Sequence, residues 1–203
     1  MLFRSCVDTN LERVENLRRG EVPFYEPGLS EMMVRNLEEG RLSFSSDVEE
    51  ALEGADICFI TVGTPSAPDG SADLSYVESA ARGVGRAMSG GLLAVVKSTV
   101  PVGTNAKVRG WIAEELKKRS ADLALSMASN PEFLREGAAL RDFLEPDRVV
   151  LGTDSPESRE LLTALYSFLE PSRLLFMDIA SAEMAKYAPT RSEERRVGKE
   201  CRS

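Results

Sequence analysis

Two carboxylates four residues apart, Glu132 and Glu136, stand out in Ser129-Asn130-Pro131-Glu132-Phe133-Leu134-Arg135-Glu136-Gly137. Pro131 suits the first position of a helical turn, and on a helix this spacing puts both carboxylates on one face. The apolar run from Leu123 to Met127 just upstream reads as a buried strand. Carboxylates placed just past a strand's carboxyl end in an α/β sheet lie where such sheets bind ligands. The alternative is local: acidic residues favour a helix's first turn because of the macrodipole. Two further loops share the same style. Val62-Gly63-Thr64-Pro65-Ser66 and Ser98-Thr99-Val100-Pro101-Val102-Gly103-Thr104 each combine glycine for close backbone approach, hydroxyls as small donors and a proline that fixes the loop. Thr104 is placed to cap a following helix. Taken singly, each reads equally as ordinary strand-to-helix turn chemistry.

The elements that must position these loops alternate along the chain. Strands are expected to end near Val7 and to cover Arg41–Phe44, Asp56–Val62, Leu92–Val96, Leu123–Met127, Val149–Gly152 and Leu174–Met177. Helices are expected over Leu11–Arg19, Leu29–Glu39, a short piece after Ser46-Asp47, Leu74–Met88, Lys107–Arg119, Ser155–Phe168 and from Ser181. This alternation predicts an α/β fold, a Rossmann-type doubly wound parallel sheet that lacks its central first strand and glycine-rich turn. All three loops would then open on the carboxyl edge of the sheet. Asp8, after the first strand, suits the acid that binds an adenosine ribose. The glycine-rich turn that precedes such an acid by about 20 residues in a dinucleotide fold has no room ahead of it. Gly83-Val84-Gly85-Arg86-Ala87-Met88 lies inside a helical pattern and lacks the third glycine. The domain is expected to run over residues 1–190 as a fragment truncated at both ends. Residues 191–203, highly charged and without an apolar face, read as a solvated tail foreign to the domain.

Composition narrows the function. The 203 residues carry a net charge of -8, against the basic stripe a nucleic-acid surface needs, so no nucleic-acid partner is expected. With no histidine, histidine zinc sites and serine–histidine triads are excluded. Cys6, Cys58 and Cys201 are odd in number and far apart, so neither a disulfide framework nor a metal motif is expected. Cys58, inside an apolar strand, reads as a small core residue. No apolar run reaches the roughly 18 residues of a spanning helix, and the start is too short for a signal peptide. The expectation is a cytoplasmic protein with no membrane partner and no metal.

Several motifs in order carry a resemblance: Val7-Asp8, Tyr25-Glu26-Pro27-Gly28-Leu29, Val62-Gly63-Thr64-Pro65, Lys97-Ser98-Thr99-Val100-Pro101-Val102-Gly103, Asn130 to Gly137, and Ala182-Glu183-Met184-Ala185-Lys186-Tyr187. From about Val7 to Ala188 the chain resembles the UDP-glucose/GDP-mannose 6-dehydrogenases, most closely the UDP-glucose branch. The resemblance implies that two NAD molecules in turn take hydride from C6 of a nucleotide sugar, through an aldehyde and a cysteine thioester, giving a uronic acid for polysaccharide. Asp8 and Arg13 would hold the adenosine ribose. Val62, Gly63, Thr64, Pro65, Ser66, Ser98 and Thr99 would line the NAD site, with Glu136 reaching the cofactor. Thr99 and Glu132 would position the hydrolytic water, Glu132 as general base. Lys186 would bind substrate and stabilise charge on the C6 oxygen, and Glu132, Phe133, Leu134 and Arg135 would complete the UDP-sugar contacts.

Departures from the family pattern are equally specific. The family's catalytic cysteine lies in a downstream Gly-x-Cys motif that Lys199-Glu200-Cys201-Arg202 does not match, and Thr190 stands where the family has asparagine. The parent enzyme is expected to dimerise through a central helix that the chain lacks, and the chain by itself is expected to be inactive. A GDP-mannose or UDP-N-acetylmannosamine 6-dehydrogenase fragment and a non-catalytic nucleotide-binding module are the alternatives.

Overall fold

The computed structural model describes residues 4–187. The charged tail, Cys201 and Thr190 lie outside the described residues.

Two parallel sheets form. The first pairs β1 (Arg4–Val7) with β2 (Leu42–Ser45), joined through α1 (Leu11–Arg18) and α2 (Leu29–Glu38). A short α3 (Val48–Leu52), capped by the Asp47 carboxylate on the Glu49 and Glu50 N–H groups, leads to the second sheet. That sheet has the order β3-β4-β5-β6-β7. Its strands are β3 (Ile57–Ile60), β4 (Leu92–Val96), β5 (Leu125–Ser129), β6 (Val149–Gly152) and β7 (Leu174–Met177). Between them run α4 (Ser75–Ala87), α5 (Thr104–Lys118), α6 (Ala139–Leu144) and α7 (Pro156–Leu165), and α8 (Ile179–Ala185) closes the described chain. Among the described residues β1 and β3 each have one strand neighbour, so the strands form two sheets, divided between β1 and β3.

Burial explains why the centre of the larger sheet is so legible. All five residues of β4 are buried, as a strand covered on both faces requires. On one face, Val77, Ala81 and Val84 of α4 and Val108 and Ile112 of α5 pack with Ala94, Val96 and Met127. On the other, Leu162 and Tyr166 pack with Leu93, Val95, Ala128 and Leu151. Gly85 permits the α4–α5 contact, because a Cβ there would stand 2.8 Å from the Ile112 carbonyl oxygen. Cys58 packs beside the first cluster, and burial pushes its thiol up to about 11, which fits a core residue.

The expectation of a fully parallel sheet fails at one place. β6 meets β5 antiparallel, at the single pair Ser129–Gly152. The connecting segment 130–148 stays at the end of the sheet where β5 finishes, so β6 returns from that end instead of crossing over.

Candidate active site at the carboxyl end of the strands

The segment after β5 is an extended loop, not the helix that the spacing of Glu132 and Glu136 predicts. Helix begins only at Ala139, after a turn over residues 136–138. The carboxylates therefore do not share a helical face. The Glu132 Oε2 accepts the Leu134 N–H at 2.7 Å, a local bond that competes with helix and holds the chain extended. The exposed Glu136 lies in the turn beyond.

Glu132 is instead paired across the fold. Lys186 Nζ, just past α8, lies 2.7 Å from Glu132 Oε1 and also donates to the Glu132 carbonyl. Burial alone would raise the Glu132 carboxyl. The hydrogen bonds from Lys186 and the Leu134 N–H, with the charges of Lys186 and Lys97, outweigh it and hold the group below its ordinary value. Lys186 also lies 5.4 Å from the centre of the Phe133 ring, within cation–π range. Arg135 is committed elsewhere. Its guanidinium grips Asp142 at 2.9 and 2.7 Å and, through those bonds, holds that carboxyl down at about 2. Leu134 is exposed, at 37%.

Behind this loop lies a cleft of about 470 Å³, lined by Lys97, Asn130, Glu132, Phe133 and Tyr166, with a charged rim from α6 and the 145–148 turn. Asn130 is 1% exposed and organises the floor. Its Nδ2 donates to the Val150 carbonyl at 3.0 Å. Its Oδ1 accepts the Tyr166 hydroxyl at 2.6 Å and Lys97 Nζ at 3.3 Å. Lys97, Asn130 and Tyr166 carried no assigned role in the sequence reading. For Lys97 a signal existed, since it directly follows five consecutive apolar strand residues.

The other two loops are stapled together. Ser98 Oγ donates to the Val62 carbonyl at 2.6 Å, and Thr64 Oγ1 donates to the Thr99 carbonyl at 2.7 Å. A hydroxyl has one proton, so Ser98 and Thr64 are not the ligand donors their composition suggests; each keeps only acceptor capacity toward a ligand. Pro65 and Ser66 are exposed, and a Cβ on Gly63 would meet no atom within 4 Å. Thr104 does not cap α5; Gly103 is the N-cap, and the Thr104 hydroxyl donates to the Pro101 carbonyl at 2.7 Å. The cap comes from α8. Glu183, 3% exposed, accepts the Gly103 N–H at 2.7 Å and the Asn105 N–H and Nδ2 at 2.8 Å each.

Asp8 and Arg13 form the ion pair at the end of β1, 2.8 Å apart, with the other Asp8 oxygen accepting the Asn10 N–H at 2.9 Å. Burial raises the Asp8 carboxyl, and the Asn10 N–H and Arg13 together bring it below its ordinary value. Glu26 ties the two sheets' loops together, its Oε1 accepting the Leu140 N–H of α6 at 3.1 Å. Among the described residues no cluster of His, Cys, Asp or Glu could hold a metal ion, and no helix is long and apolar enough to cross a membrane.

Comparison with known proteins places this geometry. Residues 5–170 match the family model for the NAD binding domain of the UDP-glucose/GDP-mannose dehydrogenase family. The chain is 45% identical to a UDP-glucose 6-dehydrogenase of Pseudomonas aeruginosa over 185 residues, covering 90% of this chain and 41% of that protein. It is 44% identical to one of Rhizobium meliloti, covering 42% of that protein. Among solved structures it is similar to a UDP-glucose dehydrogenase from Pyrobaculum islandicum, with TM-score 0.83 and 47% identity over 91% of this chain and 43% of that one. A GDP-mannose dehydrogenase from Pseudomonas aeruginosa, solved as a ternary complex, aligns at TM-score 0.85 and 31% identity over 95% of this chain and 45% of that one. The chain thus spans about two-fifths of the length of these relatives. With its Rossmann-type sheet, the chain belongs to the UDP-glucose/GDP-mannose dehydrogenase family, and residues 5–170 are its NAD-binding domain.

Proposed function

We propose that this domain serves the NAD-dependent oxidation of UDP-glucose at C6 to the uronic acid. The observation that carries the reading is the Glu132–Lys186 pair, held on the same edge of the sheet as the stapled 62–66 and 98–99 loops. NAD, when bound, supplies the hydride acceptor. Asp8 and Arg13 would hold its adenosine ribose; the backbone of Val62 to Ser66, with Ser98 and Thr99, would line its site, and Glu136 would contact it. Lys186 faces the sugar oxygen and offsets negative charge developing there. Glu132, kept ionised by Lys186, orients water with Thr99, while Phe133, Leu134 and Arg135 form the sugar-side wall.

Names of the relatives support UDP-glucose, and the GDP-mannose dehydrogenase neighbour makes that sugar nucleotide the comparison substrate. The test is NADH formation by the protein from the full reading frame, assayed with UDP-glucose, GDP-mannose and UDP-N-acetylmannosamine. UDP-glucose is expected to give the highest kcat/KM; a preference for either other sugar would overturn the assignment. The 203-residue chain alone is expected to produce no NADH.

A second expected result concerns the cofactor. Asp8→Ala removes the acceptor for ribose hydroxyls and orphans Arg13. It is expected to weaken NAD binding about tenfold, the equivalent of about 1.4 kcal/mol, without lowering the melting temperature appreciably. Calorimetry on the wild-type and variant checks this; unchanged affinity would move the ribose site elsewhere.

A further inference from the structure

We propose that Lys97 is the proton-exchanging group of the cleft, an amine seated on Asn130 and sharing the cleft with Glu132, whose own charge is committed to Lys186. This rests on the dehydrogenase reading above.

The geometry makes Lys97 unlike the other cation of the site. Lys186 contacts a carboxylate at 2.7 Å. Lys97 Nζ instead contacts a neutral amide oxygen, Asn130 Oδ1, at 3.3 Å. The orientation of that amide is fixed on both sides, because Nδ2 donates to Val150 and Oδ1 accepts from Tyr166. Oδ1 therefore presents an acceptor to Lys97 in either charge state, since a neutral amine still donates one N–H and keeps its lone pair. Among the described residues, losing the proton breaks no direct ion pair at this position.

The surrounding charges favour the same division of labour. Burial pushes Lys97 down to about 8, with the charge of Glu132 opposing and that of Lys186 adding to the effect. Glu132 is held below its ordinary value and is a weak base in this setting. Tyr166, which faces the same amide, is pushed up by burial to about 12 and stays neutral. On the rim, Arg135 and Asp142 neutralise each other, and Arg148 lies 6.0 Å from the Phe133 ring centre. Arg141, Glu145 and Asp147 are exposed there. Proton transfer is most efficient for a group that titrates near the working pH, which selects Lys97.

In the step, the neutral amine takes the proton of a substrate hydroxyl. The O–H bond breaks, an N–H bond forms and the amine becomes ammonium. The electron pair left on oxygen becomes the second C–O bond as hydride leaves carbon for the dinucleotide.

Lysine ¹³Cε NMR on the 203-residue chain tests the charge state independently of catalysis. One resonance, assigned by its loss in Lys97→Gln, is expected to titrate near 8, with surface lysines near about 10.4. Glu132→Gln is expected to move that titration lower, and Lys186→Met to move it higher. Titration with the surface lysines, or indifference to both changes, would overturn the proposal. In the full-length protein, kcat/KM is expected to rise about tenfold between pH 7 and 9, as ionisation near 8 dictates, and Lys97→Gln is expected to lose that rise. An active dehydrogenase whose pH profile survives Lys97→Gln sinks the role of Lys97 alone. A titration near 8 in a protein that oxidises no nucleotide sugar sinks the dehydrogenase reading instead, and with it the assigned step.

Discussion

Glu183→Ala is expected to destabilise the domain by about 3–5 kcal/mol. The Glu183 carboxylate is buried and accepts three hydrogen bonds from residues 78 and 80 positions away, all at the start of α5. Alanine leaves the Gly103 N–H, the Asn105 N–H and one proton of the Asn105 amide without acceptors, at about 1–3 kcal/mol for each buried group. It also removes a negative charge from a helix N-terminus, worth up to about 2 kcal/mol in a partly buried setting. Water entering the vacated space offsets part of this sum. In a chain of this size the loss corresponds to a fall of roughly 6–20 °C in melting temperature, at about 2–4 °C per kcal/mol. Glu183→Gln, which keeps one oxygen for the Asn105 donors, should lose about half as much. Thermal and urea melts followed by circular dichroism check both, and a loss below about 1 kcal/mol for alanine would show that the carboxylate is not what joins α8 to α5. The consequence reaches the site, because Lys186 follows Glu183 by three residues on the same helical turn.

Gly152→Ala is expected to cost about 2–3 kcal/mol and to displace α8. A Cβ at Gly152 would stand 2.5 Å from the Ala182 Cβ and 2.9 Å from the Ile179 Cα. The second of these is backbone, so a rotamer change cannot relieve it and the helix itself must shift. Overpacking of this kind typically costs about 1–3 kcal/mol. Because Lys186 stands just past α8, its 2.7 Å contact with Glu132 should lengthen as well. Gly83→Ala is the control. It lies in α4, and its added Cβ would meet no atom within 4 Å. It should be neutral or stabilising by up to about 1 kcal/mol. Equal melting temperatures for Gly152→Ala and wild type would mean that α8 packs less closely on β6 than described.

Local chemistry made much of the fold legible. β4 reads as a strand because Leu92–Val96 are uniformly apolar, and they are uniformly buried. Asp47 and Ser155 announce helices because their side chains reach back to N–H groups two or three residues on, as they do in the structure. The ends of α1 and α2 are marked by Gly20 and Gly40, both at positive φ. Ordered motifs likewise carried the family, since Asp8, the 62–66 and 98–104 loops and Lys186 each follow a recognisable element.

Tertiary structure decided what local pattern could not. A spacing of four between Glu132 and Glu136 is compatible with helix, but the Leu134 N–H and the Lys186 ammonium, 54 residues away, hold Glu132 in an extended loop. Thr104 has the right chemistry for a cap, yet a carboxylate from α8 arrives at that helix end instead. The hydroxyls of Thr64 and Ser98 look like ligand donors until the neighbouring loop supplies carbonyls that take their protons. The sequence marks Lys97 only as the residue after an apolar strand; its low titration follows from burial and the charge of Lys186, against that of Glu132, and these groups meet only in the fold. Residue type and short-range spacing therefore determined the elements, while the resemblance carried by the ordered motifs implied the family and most of the candidate residues. Which carboxylate is paired, which helix is capped from afar and which lysine can release a proton depend on contacts between distant segments, whose energies no local pattern encodes.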